Sequence, residues 1–247
     1  MRIKTGFIPS LFTILNLFTG FFAVTRILVG NYIAAATLII LAAVFDTFDG
    51  KVARLLGKSS RFGIEFDSLA DIVSFCLAPS LLVYSVFLVE LGIIGAMISF
   101  FPLLFGSLRL ARFNVITLEK GHKPYFVGMP VPVNAILISS FLMFNRRLSG
   151  HYGDPRILLP LIVTLSFLMV SKIRFSAFPL MSFRRGALYS FRSALCMVVL
   201  LLMVAFPSVF IFPFFMLFVM YQVVDWINGY EEPRFSVFVR KRGEKNG

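Results

Sequence analysis

Seven uncharged runs occupy most of this chain, at 5–25, 27–45, 72–89, 91–108, 124–145, 157–171 and 193–224. A helix needs about 20 predominantly apolar residues to cross roughly 30 Å of hydrocarbon. Six of the runs are about one crossing long, although 157–171 is short and must borrow flanking residues. The last holds 32 residues, far more than one crossing needs at about 1.5 Å per residue. Pro207 and Pro213 interrupt it, so it reads as two spans meeting near Phe206 and Pro207. Spanning strands are rejected, because they are about 10 residues of alternating polarity, whereas these runs are long and continuously apolar. Helices satisfy their own backbone groups where no water is present. The expected fold class is therefore an all-α integral membrane protein, a polytopic bundle of about eight transmembrane helices.

Composition agrees: 58% hydrophobic, 15% charged and a mean hydropathy of +0.88, against roughly 25% charged in a soluble domain. The net charge of +12 raises nucleic acid as a partner, and the placement of the charges rejects it. Eight spans with the N-terminus inside put 20 of the 24 Lys and Arg residues on the cytoplasmic side, leaving Arg26, Arg146, Arg147 and Arg156 outside. That is the positive-inside asymmetry, and anionic lipid and substrate phosphates account for the basic balance. The expected location is the cell membrane, multi-pass. Met-Arg-Ile-Lys before the first run resembles a secretion signal, but the run is of full span length without a small-x-small cleavage site, so a mature helix is expected. Cys76 and Cys196 fall in spans and read as small buried residues. His122 and His151 are unpaired loop residues, and the 31 Phe are packing or lipid-facing groups.

Of only twelve acids, four lie within 26 residues: Asp46, Asp49, Asp67 and Asp71. Spacings of three and four put each pair on one helix face, and two antiparallel helices joined by a short cytoplasmic loop would bring the pairs together. Four carboxylates at membrane depth repel and are poorly solvated, and hard divalent cations with oxygen ligands are the natural partner. The structural alternative is a solvated rim neutralised by Lys51, Arg54, Lys58 and Arg61. The small residues weigh against it. Gly50 and Ala53 follow the first pair along its helix and leave backbone uncovered for a bulky ligand, while Gly63 precedes the second pair by four.

Residues 46–71 read DTFDGKVARLLGKSSRFGIEFDSLAD. They fit D-x2-D-G-x2-A-R-x8-G-x3-D-x3-D at Asp46, Asp49, Gly50, Ala53, Arg54, Gly63, Asp67 and Asp71, and so resemble the signature of the CDP-alcohol phosphotransferase family. The resemblance implies a six-helix catalytic core, a homodimer, divalent metal (Mg or Mn) at the aspartates and an active site at the cytoplasmic membrane surface. It makes Asp71 the general base, with Asp46, Asp49, Asp67 and Asp71 as the metal site. Asp49, Gly50, Ala53, Arg54 and Gly63 would bind the CDP-lipid. The organisation expected is a catalytic core over 1–190, two additional spans over 191–229 and a basic cytoplasmic tail over 230–247.

Five further stretches resemble the membrane-embedded phosphatidylserine synthases of that family: IPSLFTILNLFTGF at 8–21, DSLADIVSFCLAPSLLVY at 67–84, GSLRLARFN at 106–114, YFVGMPVPVNA at 125–135 and VSKIRF at 170–175. Where wider relatives show Pro-Asn near the first span, this chain has Pro9-Ser10. The substrates implied are CDP-diacylglycerol or CDP-archaeol and L-serine, joined by attack of the serine hydroxyl on the β-phosphate with release of CMP. Serine needs a cation for its carboxylate, and Arg109, Arg112 and Asn114 are the candidates, with Lys123, Lys172 and Arg174 on the same side. The alternative for each of these cations is a membrane anchor reaching lipid phosphate, and for Lys123, Lys172 and Arg174 it is the favoured one. Pro130 and Pro132 are expected to open the fifth span toward the site or simply to kink it. Glycerol 3-phosphate or an inositol phosphate is the alternative acceptor, calling for a denser cluster of cations. An ion-coupled transporter is disfavoured, because the acids cluster at one surface and no inverted repeat is visible.

Overall fold

The computed structural model describes residues 11–56, 61–120, 125–176, 198 and 201–228. Expectations about Pro9, Ser10, Lys58, His122, Lys123, Cys196, the tail and most of the seventh span lie outside those residues. So do the side chains of Ala53, Arg54, Arg61, Lys120 and Arg174.

Helix α1 (Leu11–Leu28) and helix α2 (Tyr32–Leu56) form the first hairpin. Its turn needs a left-handed residue, supplied by Gly30 at φ +75°, and the Asn31 side chain accepts the Ala34 N–H at 3.2 Å, a cap for an orphan donor at the start of α2. Ala23, Ala35, Ala36, Ala42 and Ala43 are all buried. Small side chains let helix backbones approach closely where lipid supplies no hydrophobic drive.

Helix α2 does not stop at Phe45, where the uncharged run ends, but continues through both aspartates to Leu56. Helix α3 (Arg61–Asp71) then starts well before the apolar run at Ile72. The short loop expected between the two aspartate pairs is thus narrowed from both sides, since α2 ends at Leu56 and α3 begins at Arg61. Propensity explains the extension: Lys, Arg, Leu and Glu continue a helix into the membrane surface at little cost.

From α3 the chain winds through a π-helical stretch (Ile72–Leu77), helix α4 (Ala78–Val83), a second π-helical stretch (Tyr84–Leu88) and a 3-10 turn (Val89–Leu91). It continues as α5 (Gly92–Ser99) and α6 (Phe101–Lys120). The apolar helical run within this stretch, Phe62–Val115, is 54 residues. Held straight it would reach about 80 Å, more than twice the hydrocarbon thickness. It does not run straight. Gly92 sits at φ +54°, and α6 packs back against 72–77, so the run folds into two antiparallel passes. By length and composition, four helical segments among the described residues are able to cross a membrane, this double one included.

Helix α7 (Val131–Ser149) is the centre of the bundle, packed against α2, α4, α6, the 72–77 stretch, α8 (Pro155–Val170) and α9 (Pro207–Ile227). Val131 and every residue from Val133 to Met143 are buried. The helix therefore meets protein rather than lipid along most of its length and accommodates Asn134, Ser139 and Ser140. Phe141 and Phe144 pack on Phe212 of α9 at 5.4 and 5.5 Å between centroids. Pro130 and Pro132 neither kink nor open this helix: Pro130 is its N-cap and Pro132 lies in its first turn, where a missing N–H costs nothing. Helix α8 has 16 residues, as short as its run implied. The break expected at Phe206–Pro207 is present, for α9 begins at Pro207 after helical residues 201–205.

Strand β1 (Tyr125–Val127) pairs antiparallel with β2 (Arg174–Ser176), with Phe126 opposite Phe175. This short ladder joins two of the sequence stretches singled out above, 125–135 and 170–175. Gly128, at φ +82°, leaves no room for a Cβ beside the Met169 carbonyl, and Met129 N–H donates to the Leu168 carbonyl at 3.0 Å. The start of α7 is thereby fastened to the end of α8. On the outside, Leu11, Phe18 and Phe21 of α1, Ile93 of α5 and Leu217 and Ile227 of α9 are exposed, a surface suited to hydrocarbon and not to water.

Candidate active site

The carboxylates of Asp46, Asp67 and Asp71 each offer an oxygen within 4.8 Å of the others. The backbone produces this directly. Asp46 sits on the last turns of α2, and Asp67 and Asp71 share one face of α3, so the end of one helix and the next helix supply the cluster together. Asp49, on the same face of α2 as Asp46, accepts a hydrogen bond from Thr13 Oγ1 at 2.5 Å and lies within reach of Asp67. All four aspartates singled out in the sequence meet in one place, with the tightest grouping formed by Asp46, Asp67 and Asp71.

Helix α1 lays a polar stripe against this cluster. Asn16, fully buried, donates from Nδ2 to Asp71 Oδ1 at 3.0 Å. The Asn16 carbonyl in turn accepts the Ser74 hydroxyl at 2.9 Å, which ties α1 to the π-helical stretch just after Asp71. Close approach here depends on Gly20, where a Cβ would sit 2.8 Å from Ser74 Cα. Thr13 and Asn16 were not singled out in the sequence. The signal was present: two polar side chains three residues apart on one face of an apolar span are expensive in lipid unless they meet a partner.

Arg109 of α6 is buried, its Nε without a hydrogen-bond partner, and its charge faces Asp71 and Asp46. It therefore belongs with the carboxylates. The other two residues grouped with it diverge. Arg112 is exposed and donates from a guanidinium NH to the Val170 carbonyl at 3.4 Å. Asn114 Nδ2 donates to Ser68 Oγ at 3.0 Å and Glu65 Oε2 at 3.3 Å. Arg112 thus bridges α6 to the end of α8, and Asn114 bridges it to α3. Gly50 is exposed and Gly63 half-buried, and Lys172 is exposed at the end of α8. Cys76 is a buried free thiol packed beside Gly106, which has no space for a Cβ.

Whether these residues suit a divalent cation is tested by what they lack. Asp67 Oδ1 is buried without a hydrogen-bond partner, in a group of acids whose charges repel one another. An orphaned carboxylate oxygen in such a place is costly, and three oxygens from three carboxylates form the hard donor set that Mg²⁺ or Mn²⁺ takes. The residues fit.

The sequence profile described as CDP-alcohol phosphatidyltransferase matches residues 6–176. The chain is 34% identical over 221 residues to the CDP-diacylglycerol–serine O-phosphatidyltransferase of Helicobacter pylori, covering 89% of this chain and 90% of that one. It is 38% identical over 173 residues to the enzyme of that name in Bacillus subtilis, covering 70% and 92%. It is also 38% identical over 177 residues to the archaetidylserine synthase of Methanothermobacter thermautotrophicus, covering 69% and 71%. The matched region contains the aspartate cluster, the α1 stripe that contacts it, Arg109 and the β1–β2 ladder, and on that ground the chain belongs to the CDP-alcohol phosphatidyltransferase family.

Proposed function

We propose that the chain transfers the phosphatidyl group of CDP-diacylglycerol, or of the ether-linked CDP-archaeol, to the hydroxyl of L-serine, giving the phosphoserine lipid and CMP. The observation that carries this reading is the convergence of Asp46, Asp67 and Asp71 within 4.8 Å, in a chain aligned over 89% of its length with a relative named for that reaction.

Asp46, Asp67 and Asp71, with Asp49 beside them, would hold a divalent cation. When bound, such a cation neutralises the diphosphate oxygens and lowers the cost of charge on the departing CMP. The protein's own groups do the rest. Thr13 fixes one oxygen of Asp49, and Asn16 fixes one oxygen of Asp71, so neither carboxylate needs to reorganise when substrate arrives. The exposed Gly50 leaves the backbone of α2 approachable by a nucleotide. Asp71 accepts the proton of the serine hydroxyl as that oxygen bonds to the β-phosphorus, and the bond from phosphorus to the oxygen retained by CMP breaks. Arg109 keeps the carboxylate group from carrying its full negative charge uncompensated in a low-dielectric setting. Active sites hold charges that are costly until substrate arrives, and a buried guanidinium with a free Nε–H matches that pattern.

The surrounding lipid supplies the donor substrate, and the basic residues at the aspartate end of the bundle favour anionic headgroups there. In this reading the aspartate end faces the cytoplasm. The test is purified full-length protein in detergent with CDP-diacylglycerol, Mg²⁺ or Mn²⁺ and one acceptor at a time, following CMP. Release with L-serine is expected. Release with glycerol 3-phosphate or an inositol phosphate but not with serine sinks the serine assignment, and no release with any acceptor sinks the transferase.

A further inference from the structure

Asn16 has one partner where an amide has room for two. Its Nδ2 is committed to Asp71 at 3.0 Å, while its Oδ1 is buried with no hydrogen-bond partner. The residue is fully buried, on a helix held to the 72–77 stretch by the Ser74–Asn16 bond and the close approach at Gly20. The amide therefore cannot turn to solvent to satisfy its oxygen. The orientation of the group is set as well: a carboxylate accepts only, so the NH₂ faces Asp71 and the oxygen is the free end. A buried, immobile acceptor without a donor beside the acid that takes the acceptor alcohol's proton is a built half of a hydrogen bond.

We infer that Asn16 Oδ1 receives the ammonium group of the incoming amino alcohol, so that Asn16 reads the acceptor while its Nδ2 orients Asp71. This rests on serine being the acceptor, as argued above. Serine carries its hydroxyl and ammonium on adjacent carbons. With the hydroxyl against Asp71, the ammonium comes within reach of the neighbouring amide oxygen. An acceptor alcohol lacking that N–H leaves Oδ1 unpaired, and a polar site rejects a substrate that fails to pair its buried groups far more strongly than an apolar pocket rejects a size change.

The experiment is a cycle between residue and ligand group. Full-length protein in detergent, with Mn²⁺ and CMP present, is assayed for equilibrium binding of radiolabelled L-serine and for competition by 3-hydroxypropanoate, which keeps hydroxyl and carboxylate and carries only hydrogen where serine carries its ammonium. The wild-type chain is expected to favour serine over 3-hydroxypropanoate by tenfold or more. In Asn16→Ala the ratio should fall to within about threefold of unity, with CMP binding retained as the sign of a folded donor site. Asn16→Asp, which keeps an oxygen acceptor in place and loses the donor to Asp71, should keep the wild-type preference while turnover drops. A ratio unchanged in Asn16→Ala, or one that collapses equally in Asn16→Asp, overturns the assignment. A wild-type chain that turns over glycerol 3-phosphate and not serine overturns the serine reading itself, which is a different result from a serine enzyme whose preference ignores Asn16.

Discussion

A threonine hydroxyl and an asparagine amide, both on α1, hold two of the four aspartates, and their removal is the most direct check on the site. Thr13→Val keeps the shape and deletes the donor to Asp49. A hydrogen bond to a charged group contributes about 1.5–3 kcal/mol, so turnover should fall about 10- to 100-fold, measured as CMP release at saturating serine. A change under twofold would detach Asp49 from the working site. Asp46→Asn, Asp67→Asn and Asp71→Asn should each abolish turnover. EDTA should do so reversibly in the unmutated protein, and full activity in chelator would remove the metal. What set these roles apart in the sequence was uneven. The aspartates were legible because four acids at helical spacing in an apolar chain must either reach water or share a cation. Thr13 and Asn16 were not, because a polar residue in a span shows that a partner exists without naming it. Arg109 and Arg112 looked equivalent at a spacing of three, and only packing separated the buried one from the exposed one.

The elements carry the second level of constraint, and glycines mark where it is tightest. Gly20 of α1 lies against Ser74, and Gly106 of α6 lies against Cys76, so both passes converge on the 72–77 stretch that follows Asp71. Neither site has space for a Cβ. Gly20→Val and Gly106→Val should each destabilise the bundle by about 1–3 kcal/mol through overpacking, read as a lower midpoint of thermal unfolding in detergent. Gly20→Val should also cut turnover more than Gly106→Val, because it displaces the Asn16–Asp71 bond. Equal losses would mean that α1 serves packing alone. The uncharged runs in the sequence located these elements well in their centres and poorly at their ends. Helices α2 and α3 extend through charged residues because nothing in 46–56 or 61–71 stops a helix, whereas apolarity reports only the part in hydrocarbon. The 124–145 run overshot for the opposite reason. It is apolar from its first residues, but prolines delay the helix to Val131 and leave 125–127 free to pair with 174–176.

At the scale of the whole molecule, the two ends of the bundle differ in chemistry. One end gathers the aspartates, Arg109, the Arg112 and Asn114 bridges and the β1–β2 ladder. At the other, Tyr32 at the start of α2 packs edge-on against Tyr152 at 5.6 Å. Arg146 lies over the Tyr152 ring at 5.2 Å, and Phe87, Glu90 and His151 line the same cavity. The alternation of ends along the chain matches the sequence of basic and non-basic connections that predicts the membrane orientation. Arg26, Arg146, Arg147 and Arg156 all fall at or next to turns of the Tyr152 end, and Lys51, Arg109, Arg112 and Lys172 at the aspartate end. Basic residues are retained on the cytoplasmic side, so the aspartate end should face the cytoplasm. With Cys76 and Cys196 replaced by serine, single cysteines at Ser60 and at His151 test this in intact cells and in inside-out vesicles with a membrane-impermeant maleimide. Labelling of Ser60→Cys is expected only in vesicles, and of His151→Cys only in cells. The reverse pattern at both positions would invert the protein and put its soluble substrate on the wrong side. Labelling of both from one side would mean an even number of crossings between them. That result would contradict the odd number required here, two passes from the folded-back Phe62–Val115 run and one from α7.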